Sequence, residues 1–442
     1  MMIILNHNSL LILHKKKYNA MTTTAFLSNC NEYEVSYIAW SYAMARRRFC
    51  NNNNNHDDQF ILVALTNRML QYDIMESCTA SSASRMLWSF TTLLSLNGYY
   101  DYNGIMKNSK INNDDSNNNV VVGNNNGNDD DEDNEATSSL TTTAFIPSSN
   151  NADNMHERQG ELFHKLGGIL LSSQLTPVDA TYAMWAMAKA SYAADMGIFD
   201  HLSEVVARGF EDDDDDEQDK KNTLNAAVAS LSVRQVSQAL WACGRMIAFE
   251  DPLRDKMEFG EAIPPPYLRH AKKYASFLLS SKDKLSPKDV AQSIWALGRL
   301  KISDDSILEP FAKIAAKLSS SCNSQEIANI MWGLGTLGFD RGDIVAVLVD
   351  RITSNAQLKE ECTSQEASNV MYALGQMKIH DKDAFESLSS VMMKKLSDAT
   401  PQGIANALWA HEVMKISPPQ GLFDCWAKKK LGIVGLIIKQ DD

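Results

Sequence analysis

One stretch of about fourteen residues recurs along this chain, and it restricts the fold more than any other feature. It reads SPKDVAQSIWALGRL at Ser286 to Leu300, SQEIANIMWGLGTL at Ser324 to Leu337, SQEASNVMYALGQM at Ser364 to Met377 and TPQGIANALWAHEVM at Thr400 to Met414. A large aromatic anchors each copy: Trp295, Trp332, Tyr372 and Trp409, spaced by 37, 40 and 37 residues. Weaker copies stand upstream at Trp241, Trp185, Trp88 and Trp40, with spacings of 54, 56, 97 and 48 residues that contain insertions. Seven of the eight tryptophans therefore occupy one slot, which is the signature of a repeat architecture.

Each copy has the pattern of a helix. Ser or Thr followed by Pro or a polar residue, with Glu or Asp in the first turn, is an N-terminal capping signature. Pro287 and Pro401 stand where a first-turn proline is tolerated. At about 100° per residue, positions −5, −2, −1, +2 and +5 from the anchor form one broad apolar arc, and −4, +1 and +3 are small. Positions −7, −3 and +4 fall together in one narrow polar stripe beside the aromatic. The second half of each period predicts another helix, as at Asp305 to Leu318 or Ala384 to Leu396. Two such helices and their turns fill the period. The predicted fold is all-α, an α-solenoid of about seven to eight helical-hairpin repeats.

The divisions follow from composition. Residues 1–30 are an undefined N-terminal segment, and 31–98 hold two degenerate copies, the first ending in Arg46-Arg47-Arg48. Residues 99–156 are an Asn/Asp-rich insertion without apolar periodicity, predicted to be disordered and to sit inside a hairpin. Residues 157–210 hold the next repeat, 211–223 an acidic loop, and 224–442 the main helical-repeat domain. Of the formal net charge of −13, the insertion carries −8 and the run from Glu211 to Lys221 carries −6. The scaffold is thus near neutral, which permits nucleic acid without requiring it. The N-terminal segment places its apolar residues before its three lysines, the reverse of a secretory signal.

Catalysis has no motif here. The cysteines (30, 50, 78, 243, 322, 362 and 425) show no CxxC or Cys/His ligand spacing, and no HExxH, GxxxxGK[ST] or GxSxG arrangement occurs. No enzyme activity, cofactor or metal is expected. No apolar run is long enough to span a membrane. The anchor aromatics are expected in the core.

The polar stripe is the candidate binding surface. It comprises Arg234, Gln238 and Arg245; Lys288, Gln292 and Arg299; Gln325, Asn329 and Thr336; Gln365, Asn369 and Gln376; then Gln402 and Asn406. Asn and Gln offer paired donors and acceptors to base edges, and Arg and Lys hold phosphate. The alternative for the amides is structural, as caps or bridges between neighbouring helices. For Arg245, Lys288 and Arg299 nothing within the helix demands a cation, which favours a ligand.

The motif A-N-x-x-W-A-x-G-x-L is closest at Ala328-Asn329-Ile330-Met331-Trp332, Ala405-Asn406-Ala407-Leu408-Trp409 and Ala291-Gln292-Ser293-Ile294-Trp295. It resembles the octotricopeptide repeat family. It is also similar to the repeats of FAST-kinase-like proteins and of RNA-editing substrate-binding complex subunits. The resemblance implies a non-catalytic, RNA-binding solenoid in a mitochondrion or plastid, acting in RNA processing, stability, editing or translation, with single-stranded RNA and proteins of an RNA-processing complex as partners. Two departures stand out. Only 33 residues follow Trp409, too few for the small nuclease-like domain with which many such proteins end. The first three copies carry Tyr37, Arg85 and Tyr182 at −3 in place of an amide, so RNA contact is expected chiefly from Trp241 onward. The competing expectation is a protein-binding scaffold of HEAT or armadillo type.

Overall fold

The computed structural model describes residues 24, 26–49, 56–96, 151–209, 231–247, 266–339 and 341–428, and among these the chain is all-helical with no strand. The N-terminal segment before residue 24, the Asn51 to Asn55 run, most of the Asn/Asp-rich insertion, the acidic loop, Pro264-Pro265 and the tail beyond residue 428 lie outside the described residues.

Helices alternate between two roles. The anchor-bearing helices are α1 (Glu32–Phe49), α4 (Ala80–Leu96), α6 (Pro177–Ala190), α8 (Val233–Met246), α10 (Pro287–Arg299), α12 (Ser324–Thr336), α15 (Ser364–Met377) and α17 (Pro401–Met414). Between them run α2 (His56–Met69), α5 (Asn151–Ser172), α7 (Met196–Arg208), α9 (Pro266–Ser280), α11 (Asp305–Leu318), α13 (Gly342–Ser354) and α16 (Lys382–Lys394). Two short helices, α3 (Tyr72–Ser77) and α14 (Ala356–Glu361), fill turns that the sequence pattern did not mark as helical. Each anchor-bearing helix packs on the next along one row, and the intervening helices form a second row behind it. This two-layer stack is consistent with an α-solenoid. One difference concerns the insertion: α5 begins at Asn151, inside the stretch predicted to be disordered. Extending a formed helix by a polar turn costs little once its apolar part is docked.

Capping starts the helices where predicted, with a one-residue correction in two copies. Ser232 with Gln235 and Ser286 with Asp289 form reciprocal capping boxes. In the next two copies the cap is the residue before the predicted serine. Asn323 pairs with Glu326 and Thr363 with Glu366, while Ser324 and Ser364 are already helical. An Asx or threonine oxygen at that position reaches the third amide of the helix, and a serine one residue later cannot.

The apolar arc is the core. On α12, Ile327, Ile330, Met331 and Leu334 are buried, and Ile344, Val345, Leu348 and Val349 of α13 are buried as well. Each such side chain contributes about 1.5–3 kcal/mol by leaving water. The small positions have a separate task. A Cβ placed on Gly335 would lie 2.7 Å from the Cα of Ala373, and one on Gly298 would lie 2.9 Å from the Cα of Gly333. Position +3 of one anchor-bearing helix thus seats directly on position +1 of the next.

Replacing Gly335 by Ala should therefore destabilise the protein despite the better helix propensity of alanine. Overpacking against backbone costs about 1–3 kcal/mol. Gly342→Ala, where the added methyl meets nothing within 4 Å, is the control and should be neutral or mildly stabilising. Thermal unfolding of the two variants checks the ordering.

Candidate nucleic-acid interface

Because the anchor-bearing helices lie side by side, their equivalent positions form continuous lines across one face. Every residue of the predicted stripe is at that surface. Arg234, Lys288, Gln325, Thr336, Gln376 and Gln402 are exposed, and Gln238, Arg245, Gln292, Arg299, Asn329, Gln365, Asn369 and Asn406 are half-buried.

Apart from Trp88, the anchor aromatics lie at the edge of the core and not within it, in contrast to the expectation. Trp40, Trp185, Trp241, Trp295, Trp332 and Tyr372 are half-buried, and only Trp88 is fully enclosed. In the later copies the glycine at +3 explains this placement. It opens a seam between consecutive helices, and the ring of the next anchor lies in that seam. A Cβ on Gly244 would come within 3.3 Å of the Trp295 ring, and one on Gly375 within 2.9 Å of the Trp409 ring. The rings follow one another along the seams, with centroids 6.4 Å apart for Trp241 and Trp295, 6.1 Å for Trp295 and Trp332, and 5.0 Å for Tyr372 and Trp409. One edge of the ladder stays at the surface, and Trp409, in the last described anchor-bearing helix, is 39% exposed.

The stripe beside this ladder divides into zones. On α8 and α10 it is cationic. Two of its cations have a structural role that the sequence did not reveal: Arg245 Nη2 donates to Ser191 Oγ at 3.2 Å, and Arg299 Nε donates to the Gly244 carbonyl at 3.4 Å. Each guanidinium thus serves the C-terminal end of the preceding anchor-bearing helix, where cations are favoured. Burial lowers the Arg299 pKa below its ordinary value. Its guanidinium also lies 5.9 Å from the Trp295 ring centre.

Arg234 and Lys288 differ. Both stand in the first turn of a helix, where the macrodipole disfavours a cation, and neither makes an ion pair among the described residues. Partial burial, then the positive charges of Arg234 and Arg47, lower the Lys288 pKa, against the opposing pull of Glu326 and Asp289. Arg47, at the far end of α1, is lowered by desolvation and by Arg234. Arg47 of α1 thus shares an electrostatic environment with the starts of α8 and α10. Sequence reasoning missed Arg47 because nothing local links it to residues almost two hundred positions away.

On α12, α15 and α17 the stripe is made of amides. Gln365 donates to Asn369 at 2.9 Å and Gln402 to Asn406 at 2.8 Å, so positions −7 and −3 pair within a helix. One link crosses between helices, Thr400 Oγ1 to Gln365 Oε1 at 3.1 Å. Gln238, Gln292, Gln325 and Asn329 make no side-chain hydrogen bond among the described residues. The Asn329 amide keeps two donors and an acceptor available beside Trp332.

Two buried Ser–His pairs also escaped the sequence. Ser203 Oγ lies 3.0 Å from His270 Nδ1, whose Nε2 is 3.1 Å from Glu204. Ser203 is fully buried and its hydroxyl faces the Asp200 carbonyl at 3.0 Å, so this group fastens α7 to α9. Ser389 Oγ lies 2.9 Å from His411 Nε2, and His411 Nδ1 is 3.1 Å from the Ile416 carbonyl. A carbonyl only accepts, so Nδ1 carries the proton and Nε2 accepts from Ser389, joining α16 to α17. Such distant pairs have no spacing signature.

No protein-family model matches the chain, and no curated protein matches it in sequence. No helix among the described residues is long and apolar enough to cross a membrane.

Burial lowers the His411 pKa below its ordinary 6.5. The unfolded chain then takes up this proton before the folded one does. The contribution is complete above about pH 6.5 and is lost as the pH falls below that value. His411→Gln should flatten the fall in unfolding temperature between about pH 7.5 and about pH 5. Identical pH profiles for the two proteins would contradict the assignment.

Proposed function

We propose that this chain is a non-catalytic RNA-binding solenoid of about seven to eight helical-hairpin repeats, acting in organellar RNA processing, stability or editing. The observation that carries the reading is the stripe itself. Cations and amides line up at equivalent positions on adjacent helices, beside a ladder of half-buried rings, and among the described residues Arg234 and Lys288 make no ion pair and Asn329 no side-chain hydrogen bond. Here Arg234 and Lys288 stand at unfavourable helix ends near Arg47, an arrangement that an anion relieves. Phosphates occupy the cationic zone, and base edges meet Asn329, Asn369 and Asn406 in the amide zone. The mitochondrial or plastid location rests on the resemblance of the repeat motif alone.

The test is binding of the full chain to random single-stranded RNA across a salt series. Affinity should fall steeply with salt. Arg234→Glu with Lys288→Glu should weaken binding by tenfold or more and reduce the log–log salt slope by about two, one for each lost phosphate contact. Both side chains are exposed and stand at helix starts, where an acid is favoured, so unfolding temperature should hold or rise. Absence of binding at low salt would favour the protein-scaffold reading.

A further inference from the structure

The anchor-bearing helix of the first copy lacks the amide stripe, yet its surface is not featureless. Tyr33, Tyr37, Trp40, Met44 and Arg47 follow one another at intervals of four, three, four and three residues. At about 100° per residue they fall within about 80° of one another around α1. Tyr33 is 54% exposed, Tyr37 37% and Met44 40%. Exposed aromatics in a row at the same stripe positions need an explanation, because a solvent-facing helix has no use for them.

Geometry narrows the explanation. The Tyr33 and Tyr37 ring centres are 4.5 Å apart, and Tyr37 and Trp40 meet edge to face at 6.5 Å. Arg85 of α4, at the −3 position of its own copy, lies over both tyrosines, 4.6 Å from the Tyr37 ring centre and 5.8 Å from that of Tyr33. Its guanidinium is held by serine hydroxyls, with Nη1 donating to Ser81 Oγ at 2.8 Å, Nη2 to Ser82 Oγ at 3.1 Å and Nε to Ser36 Oγ at 3.4 Å. No carboxylate pairs with it among the described residues. An apolar protein contact would desolvate this cation without adding negative charge, whereas a nucleic-acid strand supplies both a π face for the rings and negative charge for the cation. The line also ends at Arg47, which joins the Arg234 and Lys288 charges at the start of the cationic zone.

We infer that α1 with Arg85 is a base-stacking platform, on which unpaired bases of single-stranded RNA lie against Tyr33 and Tyr37 before the strand enters the cationic zone. This rests on the RNA reading above and extends it to the copies that lack the amide stripe. The first copy binds by π faces and charge, without reading base edges, so it adds affinity without sequence preference.

Tyr33→Ala with Tyr37→Ala in the full chain, measured against a random single-stranded RNA, tests it. The platform predicts about a tenfold loss of affinity with the salt slope unchanged, since stacking and not phosphate contact is removed. Tyr33→Phe with Tyr37→Phe should bind like the wild type, because the rings remain. Wild-type affinity in the alanine pair, while the wild type shows a steep salt slope, overturns the platform and leaves the RNA reading intact. The aromatic row would then belong to a protein contact. Equal loss in the phenylalanine pair also overturns it, by assigning the affinity to the hydroxyls. If the wild type binds no RNA at low salt, both readings fall together. Should the double alanine variant unfold, Tyr33→Ala alone, at the more exposed position, carries the same predictions at smaller size.

Discussion

Close approach of the anchor-bearing helices is the interaction on which the rest of this structure depends. Gly298 on Gly333 and Gly335 on Ala373 leave no room for a methyl group between backbones. Neighbouring helices are thereby locked into one register, since a side chain at the glycine would push them apart. That register is what aligns equivalent positions from helix to helix. The aromatic ladder and the polar stripe are consequences of it: the rings fill the seams that the glycines open, and the stripe runs alongside. In the first copies Ala43, Thr91 and Ala188 take the glycine position, and the surface chemistry changes there as well.

Electrostatics then separates this face into regions with different capacities. The amide zone on α12, α15 and α17 is neutral and rich in directional donors and acceptors, which suits recognition of base edges. The cationic zone is partly committed to structure through Arg245 and Arg299, whereas Arg234, Lys288 and Arg47 gather charge at a cost to the folded state. The acidic insertions dominate the whole-chain charge of −13 and conceal this local positive field from any composition-level reading.

Much of the architecture was legible in the sequence. Periodicity located Asp305–Leu318 to the residue, and the apolar arc named the buried residues of α12. Features that depend on one residue type at one local spacing were readable; those made between repeats were not. The tryptophans were misplaced into the core because a helical wheel shows which side of a helix a ring leaves, not how wide the seam beside it opens. Arg299 looked unexplained because its acceptor, the Gly244 carbonyl, lies in the preceding copy. The electrostatic coupling of Arg47 to Arg234 arises between distant copies, and the Ser389–His411 pair depends on the docking of α16 against α17.

The central claim is that RNA lies along the face made by the anchor-bearing helices. Photo-crosslinking of the full chain to 4-thiouridine-substituted single-stranded RNA, with mass-spectrometric mapping of the modified peptides, addresses it most directly. The account predicts adducts on peptides spanning α1, α8, α10, α12, α15 and α17, at or beside the rings and the stripe. Adducts confined to α7, α9, α11, α13 and α16 would place the ligand on the opposite row and contradict it.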